Sequence, residues 1–153
     1  MAIAVGAEAP EFTLKDQHGN EVSLSKFRGQ PVALVFYPFT FTGVCEGELC
    51  EIRYEPSTFE AANVQVLAIS CDSQFAQKQW SDTQGYTFPV LSDFWPHGEV
   101  AKAYGVFNDA LGCANRGSFL INADGTVAAV IESANLGTAR SRSEYETAIA
   151  ALA

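Results

Sequence analysis

Cys45 is the residue on which chemistry could be built. It closes the run Pro38-Phe39-Thr40-Phe41-Thr42-Gly43-Val44-Cys45, which follows the apolar stretch Pro31–Tyr37 and precedes Glu46-Gly47-Glu48-Leu49-Cys50-Glu51-Ile52-Arg53-Tyr54. The apolar stretch reads as a buried strand and the segment after Cys45 as a helix. The cysteine therefore falls in the first turn of a helix. Unpaired N–H groups and the helix dipole favour negative charge there, and a thiol in that position turns into a nucleophilic thiolate more readily than an ordinary one. Thr42, three residues earlier, can set a hydroxyl beside the sulfur. Pro38 stiffens the loop and removes a donor. A lone cysteine also has a plainer reading, a small buried side chain with no reactivity.

The remaining cysteines offer no competing centre. No Cys-x-x-Cys occurs, and His18 and His97 stand far apart in sequence near turn signals, so no zinc spacing is present. Cys71 ends a predicted core strand and reads as a packed apolar residue. Cys113 reads as a loop residue. His97, within Trp95-Pro96-His97-Gly98, reads as a turn residue. Trp80 falls on a predicted helix as a core or rim residue. Phe94 and Trp95 sit in a loop, where exposed aromatic rings suggest an interface.

The chain's 153 residues are most simply one domain, and its modest charged fraction of 18% marks it as globular. A net charge of −9 argues against nucleic acid and anionic membranes, which demand a basic face. The opening segment carries no basic residue before Lys15 and no long apolar core, so it does not read as a secretory signal. A cytoplasmic location is expected, and no transmembrane span. In a reducing compartment four cysteines are expected to be redox-active or buried, not a stapling framework.

The elements that must position Cys45 follow from period and punctuation. Phe12–Lys15 and Glu21–Leu24 flank a Gly-Asn turn and read as a hairpin. Pro31–Tyr37 and Val64–Ser70 are buried strands, and Phe88–Leu91 is a shorter one. Residues 43 to 61 form a helix disturbed at Pro56. Gln74–Gln84 is a helix capped by Ser73, and Glu99–Tyr104 a short helix closed by Gly105. Gly117–Ile121 and Thr126–Glu132 flank Asn122-Ala123-Asp124-Gly125, a second hairpin. Ser143–Leu152 is a terminal helix capped by Ser141 or Ser143. Alternating strands and helices ending in a hairpin and a helix give an α/β layer fold with a mixed sheet. A nucleophile just past the end of a strand suits such a sheet.

The pattern Pro38-x-x-x-Thr42-x-x-Cys45 resembles that of the peroxiredoxins, thiol peroxidases of the thioredoxin fold. The resemblance covers nearly the whole chain. Gly6–Leu14, Phe27-Arg28-Gly29 and the stretch Ser92–Gly125 are similar to the AhpE type in particular. It implies a thioredoxin-like fold with a central mixed sheet, flanking helices and an N-terminal β-hairpin. Asn115-Arg116-Gly117 matches the family's second active-site element, which makes Arg116 the expected cationic partner of Cys45. Glu48 is expected to orient Arg116; a solvated helix carboxylate is the alternative. Cys50 departs from the one-cysteine AhpE type. Its spacing resembles the resolving cysteine of the bacterioferritin comigratory protein branch. Cys113, near Arg116, is either a bystander or an alternative resolving thiol.

The implied reaction is reduction of hydrogen peroxide, organic hydroperoxides or peroxynitrite through a Cys45 sulfenic acid, resolved by Cys50. Arg116, Thr42 and the helix N-terminus would stabilise charge as the O–O bond breaks, and Pro38 would shield the site from water. A thiol reductant, thioredoxin or a mycothiol-type system, would complete the cycle. A homodimer is expected from the loop aromatics Phe39, Phe41, Phe94, Trp95 and Phe107, and from family habit. No haem, flavin or metal is implied. Two other readings compete. A thiol–disulfide oxidoreductase is disfavoured by the missing Cys-x-x-Cys. A chaperone-like oligomer on the same fold leaves the convergence of Pro38, Thr42, Cys45 and Arg116 unexplained.

Overall fold

The computed structural model describes residues 2–54 and 56–152. The N-terminal hairpin pairs β1 (Thr13–Lys15) with β2 (Glu21–Ser23). The central strands are β3 (Val32–Phe36), β4 (Gln65–Ser70) and β5 (Val90–Ser92), with β4 parallel to both of the others. Around them run α1 (Gly43–Tyr54), α2 (Pro56–Ala61), α3 (Gln74–Gln84) and α4 (Glu99–Ala103). A small ribbon, β6 (Phe107–Asn108) with β7 (Cys113–Ala114), precedes β8 (Gly117–Ile121) and β9 (Val127–Glu132). α5 (Arg142–Ala150) ends the fold. The main sheet has the order β2-β1-β5-β4-β3-β8-β9, and its β3–β8 and β8–β9 pairs are antiparallel. This is a mixed sheet flanked by helices, the thioredoxin-like arrangement expected.

The pleat of β3 sorts its side chains into two cores. Val32, Leu34 and Phe36 join Phe12, Leu67, Ile69, Tyr104 and Phe119 on one face. Ala33, Val35 and Tyr37 join Cys45, Leu49, Ile52, Trp80 and Val90 on the other. Every β3 residue is buried, which explains why its sequence is a continuous apolar run without alternation. Cys45, Leu49 and Ile52 recur at helical spacing and bring one face of α1 onto the second core. Packing of this face, together with the β3 strand it follows, fixes where the cysteine lies.

Local signals account for the boundaries. Ser73 caps α3, its side chain accepting from the Ala76 N–H at 3.2 Å, and Gly85 ends that helix with φ 71°. Such a left-handed residue is cheap only for glycine. The expected disturbance of the helix at Pro56 falls beside residue 55, which lies outside the described residues. Several expectations need correction: Leu24 opens a short 3-10 turn instead of ending β2, and α5 runs from Arg142 to Ala150 instead of from Ser143 to Leu152. The third central strand begins at Val90, not Phe88, because Pro89 has no N–H for the ladder and offers only its carbonyl, to Ala68. The second hairpin's outer strand begins at Val127, since Thr126 is held in the turn by Asp124. Cys113 is not a loop residue but part of β7, opposite Asn108; its strand is too short to show a period.

Candidate active site

Glu48 lies one turn after Cys45 on α1 and is buried, at 8% exposure. Its Oε1 accepts from Arg116 Nη1 at 2.6 Å and from Arg140 Nη2 at 3.0 Å. Its Oε2 accepts from Arg140 Nε at 2.9 Å and from the Arg140 backbone N–H at 2.7 Å. Arg116 also donates Nε–H to the Leu136 carbonyl at 2.7 Å, and Arg140 donates Nη1–H to the Phe36 carbonyl at 2.5 Å. The cluster therefore ties α1 to the end of β3, to the start of β8 and to the loop before α5. Both guanidinium side chains are almost wholly buried. Burial alone would raise the Glu48 pKa, but the hydrogen bonds and charge of Arg140, with the charge of Arg116, hold it below the ordinary carboxylate value. Burial likewise opposes the Arg140 charge, and Tyr145, Glu48 and Cys45 more than offset it. Cys45 thus lies within electrostatic reach of Arg140.

Cys45 itself has no exposed surface. Its neighbour Tyr37 is fully buried, and burial pushes the phenol above its usual range, with Cys45 and Asp72 among the groups adding to the shift. The phenol is therefore a neutral group beside the sulfur. Pro38 is buried at the start of the Cys45 loop. Thr42 is exposed, and its hydroxyl donates to the Phe39 carbonyl at 2.7 Å. Its O–H thus bonds to its own loop.

A buried cysteine at the strand-to-helix joint, one turn from a carboxylate that holds two arginines, is set in a recognisable frame. The chain matches the AhpC/TSA family over residues 5–130. It is 46% identical to alkyl hydroperoxide reductase E of Mycobacterium tuberculosis over 149 residues, 97% of each chain. The chain is a peroxiredoxin. Solved structures agree. Peroxidoxin BcpB from Mycobacterium tuberculosis is similar with a TM-score of 0.83 at 30% identity, covering 96% of this chain and 94% of that one. Enterococcus faecalis AhpC gives a TM-score of 0.86 at 27% identity, covering 96% and 90%. As a peroxiredoxin, the protein is a thiol-dependent peroxidase, an oxidoreductase that reduces peroxide with cysteine.

Within this peroxiredoxin the other thiols differ in setting. Cys50 is half-buried on α1, with its sulfur 3.5 Å from Gln84 Oε1 and 3.6 Å from the Tyr86 hydroxyl. Cys71 is buried, and desolvation, with the negative charge of Asp93, pushes it up to about 12. Burial also raises Cys113, with Asp72 and Cys45 adding and Arg116 opposing. Trp80 is fully buried, its ring 5.3 Å from Tyr37 and 6.4 Å from Phe41. His97 ties two turns together, with Nδ1 3.1 Å from the Phe94 carbonyl and Nε2 2.7 Å from that of Gly112.

Arg140 is the site residue that sequence reasoning missed. It stands two residues before Arg142, and nothing in composition separates the two. The available signal was position: Arg140 precedes Ser141, the N-cap of α5, so it cannot belong to that helix's solvated face. Arg142 does, and pairs there with Glu146 at 3.3 Å.

The depressed Glu48 pKa sets a direction for pH dependence. Its ion pairs stabilise the fold at and above the ordinary carboxylate range, and this contribution is lost as the pH falls through the lower folded-state value. Glu48→Gln should cost roughly 3–5 kcal/mol near pH 7, because two buried cations lose their counter-charge. Denaturant titrations of both proteins across pH should show that gap narrowing as the pH drops below the usual carboxylate range. A gap independent of pH would contradict this reading.

Proposed function

We propose that Cys45 is the thiol that attacks peroxide. Its sulfur takes the outer oxygen, the O–O bond breaks, and the departing oxygen leaves, with a proton, as water or an alcohol or, from peroxynitrite, as nitrite, giving Cys45 sulfenic acid. One observation carries this reading. Among the described residues, two buried guanidiniums share the single carboxylate of Glu48, one turn from Cys45, so positive charge is in excess there. A Cys45 thiolate supplies the missing anion. Arg116 then stabilises charge on the departing oxygen, with the α1 N–H groups assisting and the Thr42 hydroxyl joining them once its proton turns from the Phe39 carbonyl. Glu48 positions Arg116 and Arg140, and Pro38 keeps water from the sulfur. Because Cys45 is buried, a peroxide reaches it only when neighbouring residues give way, which favours small substrates such as hydrogen peroxide, organic hydroperoxides or peroxynitrite.

Iodoacetamide labelling read by peptide mass spectrometry should find Cys45 modified fastest at pH 6, with Cys71 and Cys113 held back because desolvation and nearby negative charge keep their thiols protonated. Cys45→Ser should abolish turnover, and Arg116→Ala should lower it by roughly a hundredfold or more. Fastest labelling at another cysteine would overturn the assignment.

Cys50 is proposed to resolve the sulfenic acid, its thiol displacing water to form a Cys45–Cys50 disulfide. On an intact helix five residues separate Cα atoms by about 8–9 Å, and a disulfide tolerates no more than about 7 Å. The first turns of α1 must therefore unwind. Gly47 lies between the two cysteines, and a methyl added there meets nothing within 4 Å. Gly47→Ala should strengthen the helix by roughly 1 kcal/mol and slow disulfide formation about fivefold. After one equivalent of peroxide, mass spectrometry should find the intramolecular disulfide and circular dichroism a loss of helix. A lasting Cys45 sulfenic acid beside a free Cys50 would refute resolution by Cys50.

The cycle would close through thioredoxin or a mycothiol-type thiol, within a cytoplasmic protein of one domain. No helix among the described residues is long and apolar enough to cross a membrane. A homodimer is proposed through the exposed aromatic side chains Phe39, Phe41, Phe75, Phe94 and Trp95. Phe107 does not contribute as expected: it is half-buried, with the Lys102 ammonium 4.7 Å above its ring. Light scattering at tens of micromolar should give a dimer mass; a monomer mass would count against the interface.

A further inference from the structure

The loop that delivers Cys45 is anchored from outside itself. The Thr40 N–H donates to Asp72 Oδ2 at 2.8 Å, and the Ser70 hydroxyl donates to the same oxygen at 2.7 Å. Asp72 is itself held on both sides. The Ser92 hydroxyl donates to its backbone carbonyl at 2.6 Å, and Gln77 Nε2 steadies Ser70 at 2.9 Å while also donating to the Leu91 carbonyl at 2.8 Å. Thr40 is held a second time, its hydroxyl 3.0 Å from the Tyr37 phenol oxygen. The next residue, Phe41, has φ 68° although it is not glycine, and its side chain is largely exposed. A side-chain-bearing residue keeps that conformation only where its surroundings impose it. The carboxylate bond to the Thr40 backbone ties the middle of the segment ahead of α1 to the ends of β4 and β5.

We propose that Asp72 is a positioning residue of the peroxidase reaction, a latch that holds the Thr40–Phe41 segment in its strained form and so keeps the first turn of α1, with Cys45, in the geometry that attacks peroxide. Release of the latch lets Phe41 relax and frees the start of α1. The same latch therefore favours the first step and opposes the second, the unwinding that brings Cys45 to Cys50. The second half of this inference rests on the proposed role of Cys50; the first does not.

The test uses the full-length reduced protein with Asp72→Ala and Asp72→Asn. Asparagine keeps an oxygen that accepts from Thr40 and Ser70, whereas alanine removes it. Hydrogen exchange read by mass spectrometry should show amides 40–45 exchanging roughly tenfold faster in Asp72→Ala, and near the wild-type rate in Asp72→Asn. Stopped-flow measurements should show Asp72→Ala forming the sulfenic acid roughly tenfold more slowly and the Cys45–Cys50 disulfide severalfold faster, with Asp72→Asn restoring both. A merely structural loss would not move the two rates in opposite directions. Unchanged exchange at 40–45 in Asp72→Ala, or equal loss in Asp72→Asn, would overturn the latch. Faster exchange in a protein whose wild type forms no disulfide would uphold the latch and reject Cys50 as the resolving thiol.

Discussion

A carboxylate taken out of water is tolerated only when other groups replace the solvent, and Glu48 is replaced on every side that matters. Its two oxygens accept from Arg116, from the Arg140 side chain and from the Arg140 backbone, all at 2.6–3.0 Å. The two arginines belong to different parts of the chain, Arg116 at the start of β8 and Arg140 in the loop before α5. Removing any one leaves a buried charge exposed to a low-dielectric interior, a penalty of several kcal/mol. The arrangement is therefore self-enforcing: α1, the end of β3, the start of β8 and the loop before α5 must meet in one way. Cys45 stands one turn from this junction, so its surroundings are fixed by the same constraint.

The charge arithmetic of the junction gives it a chemical direction. One carboxylate cannot balance two guanidiniums, and burial makes the excess costly in a site that excludes water. A negative group beside them is favoured, and the oxygen released when a peroxide bond breaks is such a group. Cys71 lacks this setting, and at Cys113 the charge of Arg116 is outweighed by burial and nearby negative charge. Both cysteines are surrounded by apolar atoms and by the negative charge of Asp93 or Asp72, which push both thiols up. The four cysteines of this peroxiredoxin are thus sorted by their neighbours, and α1 carries the two that the proposed cycle uses.

Much of this frame was legible before any coordinates, because it rests on local signals. The buried run 31–37, the glycine that ends α3 and the Ser73 cap each announce themselves in a few residues. The Pro-x-x-x-Thr-x-x-Cys spacing and Arg116 were legible through family likeness, and the burial of Glu48 agrees with a partnered and not a solvated carboxylate. What escaped was long-range. Arg140 reaches Glu48 across 92 positions, and no pattern near Arg140 encodes that contact. Asp72 reaches Thr40 across 32 in the same unmarked way. The β6–β7 ribbon was missed because two-residue strands carry no period.

The most direct measurement of the central claim, that Cys45 is the peroxide-reactive thiol set by the Glu48-held arginines, is stopped-flow tryptophan fluorescence of the reduced protein mixed with hydrogen peroxide. Trp80 packs against Tyr37 and Phe41 beside the Cys45 loop and serves as the internal reporter. The account predicts a fast change that saturates at one equivalent of peroxide, vanishes in Cys45→Ser and slows strongly when either Arg116 or Arg140 is replaced by methionine. A fast phase that survives in Cys45→Ser, or one indifferent to both arginines, would contradict it.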